Sequence, residues 1–384
     1  MDNNKLDYAI TNGKAVITRS PGFTSVINPG GQRVLVPRNF ESIFPHLFEG
    51  KEILPKKYIF NPGSQEPAKL WIERVGGGYG DIIHCLSAIE DKVLEFREEH
   101  GNFARIELCV PKQHGFLLSQ IKNVSFVFTE DFGNFNYLQH TIVEAREHID
   151  LLCPADDYEH DVDYDVQKSR VELFYEACHV KRKPRPPMFK LQRTLENPFP
   201  KDKLVIGICP RSADGYKDWS LDRFEELANY LQEEGHFVFV ADAKVASPGI
   251  PALPRMTMES VTQYLSWADL VIAPDTGPIF IAAAMGITVI GLFGKTSGLQ
   301  LLEKFYPTGH AIQVIKPDSC QRPCYQSPER GFRCEHVHIH GARTYCMDDI
   351  STEMVIETFK HLNKSGMIGV HRFDREESQN AFVR

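Results

Sequence analysis

The sequence lacks any apolar run long enough to cross a membrane. The longest, Ile279 to Gly294, falls short of the roughly 20 residues required and contains Gly286 and Thr288. The first ten residues, MDNNKLDYAI, hold no apolar h-region and do not read as a signal peptide. The expectation is a soluble, cytoplasmic chain. Positive charge is not in excess, since 43 Lys and Arg face 51 Asp and Glu for a formal net charge of −8. That balance gives no electrostatic reason to expect nucleic acid, although a local basic groove is compatible with it. With 42% hydrophobic and 24% charged residues, the composition excludes disorder as the default. No internal repeat or long low-complexity tract occurs. None of the nine cysteines forms a C-x2-C pair. In a cytoplasmic chain they should be mostly reduced, so any clustering needs a reason other than disulfides.

What is present reads as two domains and an appendage, at about 100–200 residues per domain. Residues 1–65 carry short β-favouring runs, AVITRSPGF, RVLVPRNF and KKYIF, separated by the turn signals PG, NPGG and NPGS. They predict a β-rich N-terminal appendage, with an irregular arm as the alternative. Strand and helix patterns then alternate. AKLWIERV, ARIELCV and VSFVF read as strands over 66–185, and Ile82, Leu86, Ile89, Val93 and Phe96 fall on one face of a helix. An acidic stretch at 154–165 reads as a solvated loop face. KRKPRPPMFK (181–190) combines five basic residues with three prolines. It reads as the start of a stiff linker, 186–200, or alternatively as a patch for phosphate or an acidic acceptor. From 201 to 365 the runs LVIGICP, FVFVA, LVIA and TVIGLF are continuously apolar, as parallel strands buried on both faces require. Ser220 is placed as the N-cap of the helix carrying Phe224, Leu227 and Leu231. A tail, 366–384, follows. The fold class is α/β: two Rossmann-like domains with parallel sheets facing a cleft.

Three stretches carry the chemistry. In RVGGGYGDIIHCLSAI, Gly76–Gly80 allow a tight turn and close backbone approach, and Asp81 opens a helix. A carboxylate there can accept a proton from an attacking hydroxyl or simply cap its helix. CPRSADGYKDWSLDRFEELA places Lys217 and Arg211 after a strand, where cations can meet phosphate, and Trp219 where it packs between strand and helix. In PDTGPIFIAAAMGITVIGLFGKTS, Asp275, Thr276 and Gly277 follow a buried strand and open the next helix, a position suited to diphosphate. Asp275 itself would repel phosphate, so it is assigned to a sugar hydroxyl or to holding the loop.

Together, in this order and at this spacing, the three stretches resemble glycosyltransferase family 9, the ADP-heptose heptosyltransferases of GT-B fold, over roughly residues 68–362. The resemblance implies a glycosyltransferase moving a sugar from a nucleotide-diphosphate donor, ADP-sugar favoured, to an acceptor hydroxyl, with inversion and no catalytic metal. It implies Asp81 as base and Lys217 as the cation stabilising the departing diphosphate, with Arg211 assisting. Gly80, Asp275, Thr276, Gly277, Phe293, Gly294 and Thr296 border the donor, and Asp242 is a candidate for a ribose hydroxyl. One departure stands out. The family usually carries a His five residues after the Asp of this signature, where this chain has Phe280, so heptose as the transferred sugar is left open.

Cys320, Cys324, Cys334 and Cys346 lie in a C-x3-C-x9-C-x11-C arrangement. Four thiolates suit tetrahedral Zn²⁺ or Fe in a structural knuckle; unpaired buried cysteines or disulfides are the alternatives. His336, His338 and His340 read as surface residues, and the other five cysteines as core. A β-rich N-terminal part joined to a GT-B core and a four-Cys iron finger is the layout of the bacterial autotransporter heptosyltransferases, which modify proteins, and this chain is similar to it. The acceptor is accordingly a glycan such as lipopolysaccharide core, or a protein; homo-oligomerisation is an open expectation. A phage-type DNA-base glycosyltransferase, a GT-B epimerase and a non-catalytic nucleotide-binding protein are the competing readings.

Overall fold

The computed structural model describes residues 8–9, 16–19, 23–27, 33–37, 68–74, 77–128, 147–151, 168–241, 250–314 and 344–369. The expected strand KKYIF, the acidic stretch 154–165, Asp242, Cys320, Cys324, Cys334, the three alternating histidines and the tail beyond 369 lie outside the described residues. Within residues 1–65 the backbone forms an antiparallel sheet in sequence order: β1 (Tyr8–Ala9), β2 (Val16–Arg19), β3 (Phe23–Ile27) and β4 (Arg33–Pro37).

The chain divides into two compact units. The first comprises Met1–Gly77, Ala88–Asp165 and Glu172–Pro184; the second comprises Gly78–Ser87, Val166–Val171 and Arg185–Arg384. In the first, β5 (Lys69–Glu73), β6 (Arg105–Val110), β7 (Ser125–Phe128) and β8 (Glu147–Asp150) form an all-parallel sheet of order β7-β6-β5-β8. Helix α1 (Tyr79–His100) leaves β5 through the glycine loop. Gly77 there has φ 93°, a left-handed conformation that favours glycine. The expected stripe holds: Ile82, Leu86, Ile89, Val93 and Phe96 are all buried. Helix α2 (Arg170–Ala177) starts with its first two residues in the second unit. Arg182 lies against Glu95 and Glu98, so this part of the basic stretch neutralises acidic side chains of α1.

The second unit holds β9 (Val205–Ile208), β10 (Phe237–Val240), β11 (Leu270–Pro274), β12 (Thr288–Leu292) and β13 (Gly309–Ile312), all parallel, in the order β10-β9-β11-β12-β13. Helices α3 (Leu221–Glu233), α4 (Met258–Leu265), α5 (Gly277–Ala284) and α6 (Thr352–Lys364) accompany them. Its core joins Ile206, Ile272 and Leu292 of the sheet to Phe224, Leu227, Val355 and Phe359 of the helices. Ser220 does sit at the N-cap of α3, but its side chain makes no capping bond. The stretch 186–200, expected as a linker, is packed instead. Phe189 N–H donates to Ala284 O, Arg193 stacks on Trp267 and bonds Ser266, and Gln263 bonds both Gln192 and Thr194. Backbone donors and acceptors of an extended segment are satisfied here by α4 and its flanks.

The order of the second sheet fixes where chemistry can occur. After β9 the chain winds outward to β10, then returns to the other side of β9 as β11. The strand order reverses between β9 and β11, so the loops leaving their carboxyl ends diverge and open a crevice. The first loop carries Lys217 and the second carries Asp275.

Candidate functional site

Asp275 follows β11 directly and Thr276 is the N-cap of α5, with Gly277 and Pro278 opening the helix. The N-terminus of α1, which belongs to the same compact unit, abuts that of α5. A Cβ on Gly80 would stand 2.8 Å from the Phe280 ring, and one on Gly277 would stand 2.9 Å from Tyr79 Cβ. Glycine at both positions is what permits two helix ends to touch. Two positive dipole ends side by side favour negative charge around them.

Carboxylates supply part of it. Asp81 sits in the first turn of α1 and accepts the Gly78 N–H at 2.8 Å through Oδ2. It thus does cap its helix. Its Oδ1 forms an ion pair with Arg170. Asp275, 5% exposed, is 2.8 Å from Lys217 Nζ and accepts a hydrogen bond of the same length from Thr296 Oγ1. Burial alone would raise the Asp275 carboxyl. The charges of Lys217 and Arg170, with hydrogen bonds from Lys217 and Thr296, hold it below the usual aspartate value. The resulting role is to hold Lys217 and the loop.

Lys217 ends a single 3₁₀ turn, Gly215–Lys217, capped by Asp214, whose carboxylate accepts the Tyr216 N–H at 3.0 Å. The same carboxylate pairs with buried Lys295. Burial pulls the Lys295 ammonium below its ordinary value against that hydrogen bond, and the Lys217 charge pulls the same way. Arg211 lies three residues beyond β9 and is exposed. Its charge offsets part of the rise that burial imposes on Asp218. Gly294 packs beneath Cys346 and Met347, since a Cβ there would meet their sulfurs at 2.6 and 2.7 Å.

Phe293, expected to border the donor, packs inward. It is fully buried, its ring fills the space left by Gly291 and Gly298, and its N–H donates to Ile312 O. A ring committed to the core shapes the loop and offers no side chain to a ligand. Phe280 is likewise buried. It packs on His84 with centroids 4.4 Å apart, and His84 Nδ1 lies 3.1 Å from the Tyr306 hydroxyl, which burial pushes well above its usual value. Trp219 packs as expected, fully buried, with its indole N–H donating to Ile350 O at 2.8 Å.

The structure therefore brings together Gly80, Asp81, Lys217, Asp275, Thr276, Gly277 and Thr296, and adds Arg170, Asp214 and Lys295, which sequence reasoning missed. Lys295 stands inside a quoted motif and had a signal, namely a cation next to Gly294. Arg170 had none. Among the described residues, no group of three or more His, Cys, Asp or Glu is arranged to hold a metal ion. Cys346 is buried with its sulfur 2.8 Å from the Thr344 hydroxyl. Cys85, Cys109, Cys178 and Cys209 are buried thiols of the core. No helix among the described residues is long and apolar enough to cross a membrane.

Comparison with known proteins finds one family model and several heptosyltransferases. The sequence model of glycosyltransferase family 9 (heptosyltransferase) matches residues 144–331. The lipopolysaccharide core heptosyltransferase OpsX of Haemophilus influenzae is 29% identical over 116 residues, 27% of this chain and 33% of that protein. Lipooligosaccharide heptosyltransferase 2 of Campylobacter jejuni is 24% identical over 183 residues, 42% of this chain and 52% of that protein. The matches thus span between a third and about half of these curated relatives. Among solved structures, the iron-containing dodecameric glycosyltransferase TibC from enterotoxigenic E. coli H10407 superposes with a TM-score of 0.59 at 15% identity. That match covers 93% of this chain and 85% of TibC. TibC has also been solved in complex with ADP-D-beta-D-heptose. At that identity the likeness establishes the fold, the GT-B type of parallel α/β architecture.

Proposed function

We propose that this protein, whose residues 144–331 match the sequence model of glycosyltransferase family 9, transfers a sugar from an ADP-sugar, heptose or a close relative, to an acceptor hydroxyl. The observation that carries the reading is the Lys217–Asp275 ion pair at the N-terminus of α5, with Asp81 on the helix end that abuts it. In the reaction, the Asp81 carboxylate takes the proton of the acceptor hydroxyl. The freed oxygen attacks the anomeric carbon from the face opposite the diphosphate, and the bond to the phosphate oxygen breaks with inversion. Negative charge grows on that oxygen in the transition state. Lys217 and the positive dipole end of α5 stabilise it, and Thr276 and Gly277 cradle the diphosphate. Arg211, exposed beside this loop, assists the outer phosphate. Gly80, Gly294 and Thr296 border the donor, and Asp242 serves a ribose hydroxyl.

The acceptor class is a glycan, as in lipopolysaccharide core, or a protein. The likeness to TibC spans 93% of this chain and supports the layout shared with that iron-containing, dodecameric protein. By the same reasoning, Cys320, Cys324, Cys334 and Cys346 hold a structural Fe or Zn. Cys346 is buried, with its sulfur 2.8 Å from the Thr344 hydroxyl, which itself donates to Tyr216 O. A metal held by four thiolates has no open position, and its contribution is to folding. No step of the transfer runs through it.

Calorimetry with ADP, UDP and GDP identifies the nucleotide, and mass spectrometry of candidate acceptors with the matching sugar donor identifies the product. Asp81→Asn should lower transfer by about 10²–10⁴-fold while still binding ADP, the range typical of general base catalysis. Near-normal turnover of that variant would sink the base assignment.

A further inference from the structure

We propose that Arg170 is a donor-binding residue, held on Asp81 in the unliganded protein and drawn to the diphosphate when a nucleotide donor binds. This rests on the nucleotide-donor reading above. Arg170, at the first position of α2, pairs through Nη1 with Asp81 Oδ1, while Gly78 N–H occupies Oδ2. A carboxylate held by a guanidinium on one oxygen and an amide on the other is a poor proton acceptor. The reaction needs that carboxylate released, and the guanidinium must then find another anion.

Helix stability gives no reason for an arginine here, because a cation at a helix N-terminus opposes the dipole. The surrounding charges do. Asp81, Asp214 and Asp275 face Arg170, Lys217 and Lys295, three anions against three cations. The set is neutral before any ligand arrives. Beyond what exposed Arg211 and the N-terminal end of α5 supply, a diphosphate adding about two to three negative charges draws on these cations through a change of partners. Lys295 is paired with Asp214 and its side chain is 6% exposed, whereas Arg170 and Lys217 are less buried, at 13% and 19%. The Arg170 charge already reaches Asp275, the residue at the start of the diphosphate cradle. A guanidinium matches phosphate oxygens in a fork, which a lysine does not. Donor arrival and release of the base are then one event, so Asp81 is unmasked only beside a bound donor.

The test is a cycle of ADP affinities by calorimetry, which needs no turnover. Arg170→Gln should weaken ADP binding by about 10–100-fold, the loss of one charge-assisted contact. Arg170→Lys should recover part of that loss. Asp81→Asn should tighten ADP binding by about 3–10-fold, because the guanidinium no longer has to leave a carboxylate. That gain should vanish in the Arg170→Gln, Asp81→Asn double variant. Wild-type affinity in Arg170→Gln, or a gain from Asp81→Asn that survives in the double variant, overturns the proposal. If the wild-type protein binds none of ADP, UDP and GDP, the nucleotide-donor reading fails first and takes the role of Arg170 with it.

Discussion

Replacing Gly277 with alanine tests the contact on which the whole site depends. The added methyl would stand 2.9 Å from Tyr79 Cβ and 3.4 Å from the Gly80 nitrogen. Comfortable carbon–carbon contact is about 3.5–4.0 Å, so the ends of α1 and α5 must separate by about 0.6–1.1 Å. Neither opposing atom is the tip of a flexible side chain, and no rotamer change relieves the overlap. Overpacking of this kind costs about 1–3 kcal/mol. For a unit of about 200 residues that corresponds to about 2–12 °C in the unfolding midpoint. The shift also carries Asp275 and Thr276 away from Lys217, and displacements near 1 Å can cost about 100-fold in function. Gly78→Ala is the control within the same loop. Its methyl would lie 3.7 Å from Asp81 Oδ2, an ordinary contact. That variant should stay within about 0.5 kcal/mol of wild type. Tryptophan fluorescence on heating follows unfolding, since Trp219 and Trp267 both lie in the second unit. Calorimetry follows ADP affinity. If Gly277→Ala and Gly78→Ala unfold together and bind ADP equally, the two helix ends do not meet as described.

Two further outcomes follow from the electrostatics and the cysteines. Lys217, Arg170 and Thr296 hold Asp275 below its unfolded value, so its contribution to stability is present above the ordinary aspartate pKa of about 3.9 and is lost as pH falls through the lower folded value. Urea midpoints taken from pH 7 downward should fall in that acid range, and less steeply in Asp275→Asn; equal slopes would mean the ion pair contributes nothing. Replacing both Cys320 and Cys324 with serine should remove bound Fe or Zn, as read by elemental analysis of the purified protein. Full metal retention refutes the knuckle.

Much of the fold is legible because parallel sheets advertise themselves. LVIGICP, LVIA and TVIGLF are apolar without alternation, and each is buried on both faces as β9, β11 and β12. Asp81, Lys217 and Asp275 are legible for a related reason. Asp275 follows β11 directly, and Asp81 and Lys217 lie on the segments that leave β5 and β9, eight and nine residues beyond those strands, so local pattern alone places each at the carboxyl end of a sheet. Phe293 shows the limit. It follows β12 as Asp275 follows β11, yet it turns inward because Gly291 and Gly298 leave space that its ring helps to fill.

Composition, strand–helix alternation and the three motifs therefore determined the α/β class, the loops that bear chemistry and the charges they carry. Tertiary structure alone decided which charges meet. Arg170 reaches Asp81 across 89 positions and Lys295 reaches Asp214 across 81. Nothing in RVELFYEA distinguishes its first residue from any cation opening a surface helix. The physical reason is that periodicity and capping are local, decided within a few residues, whereas an ion pair depends on where two separate segments are delivered by the packing of everything between them. The two glycines that let α1 and α5 touch were visible as turn-formers. Their use as a contact surface was not, because that requires both helices in place.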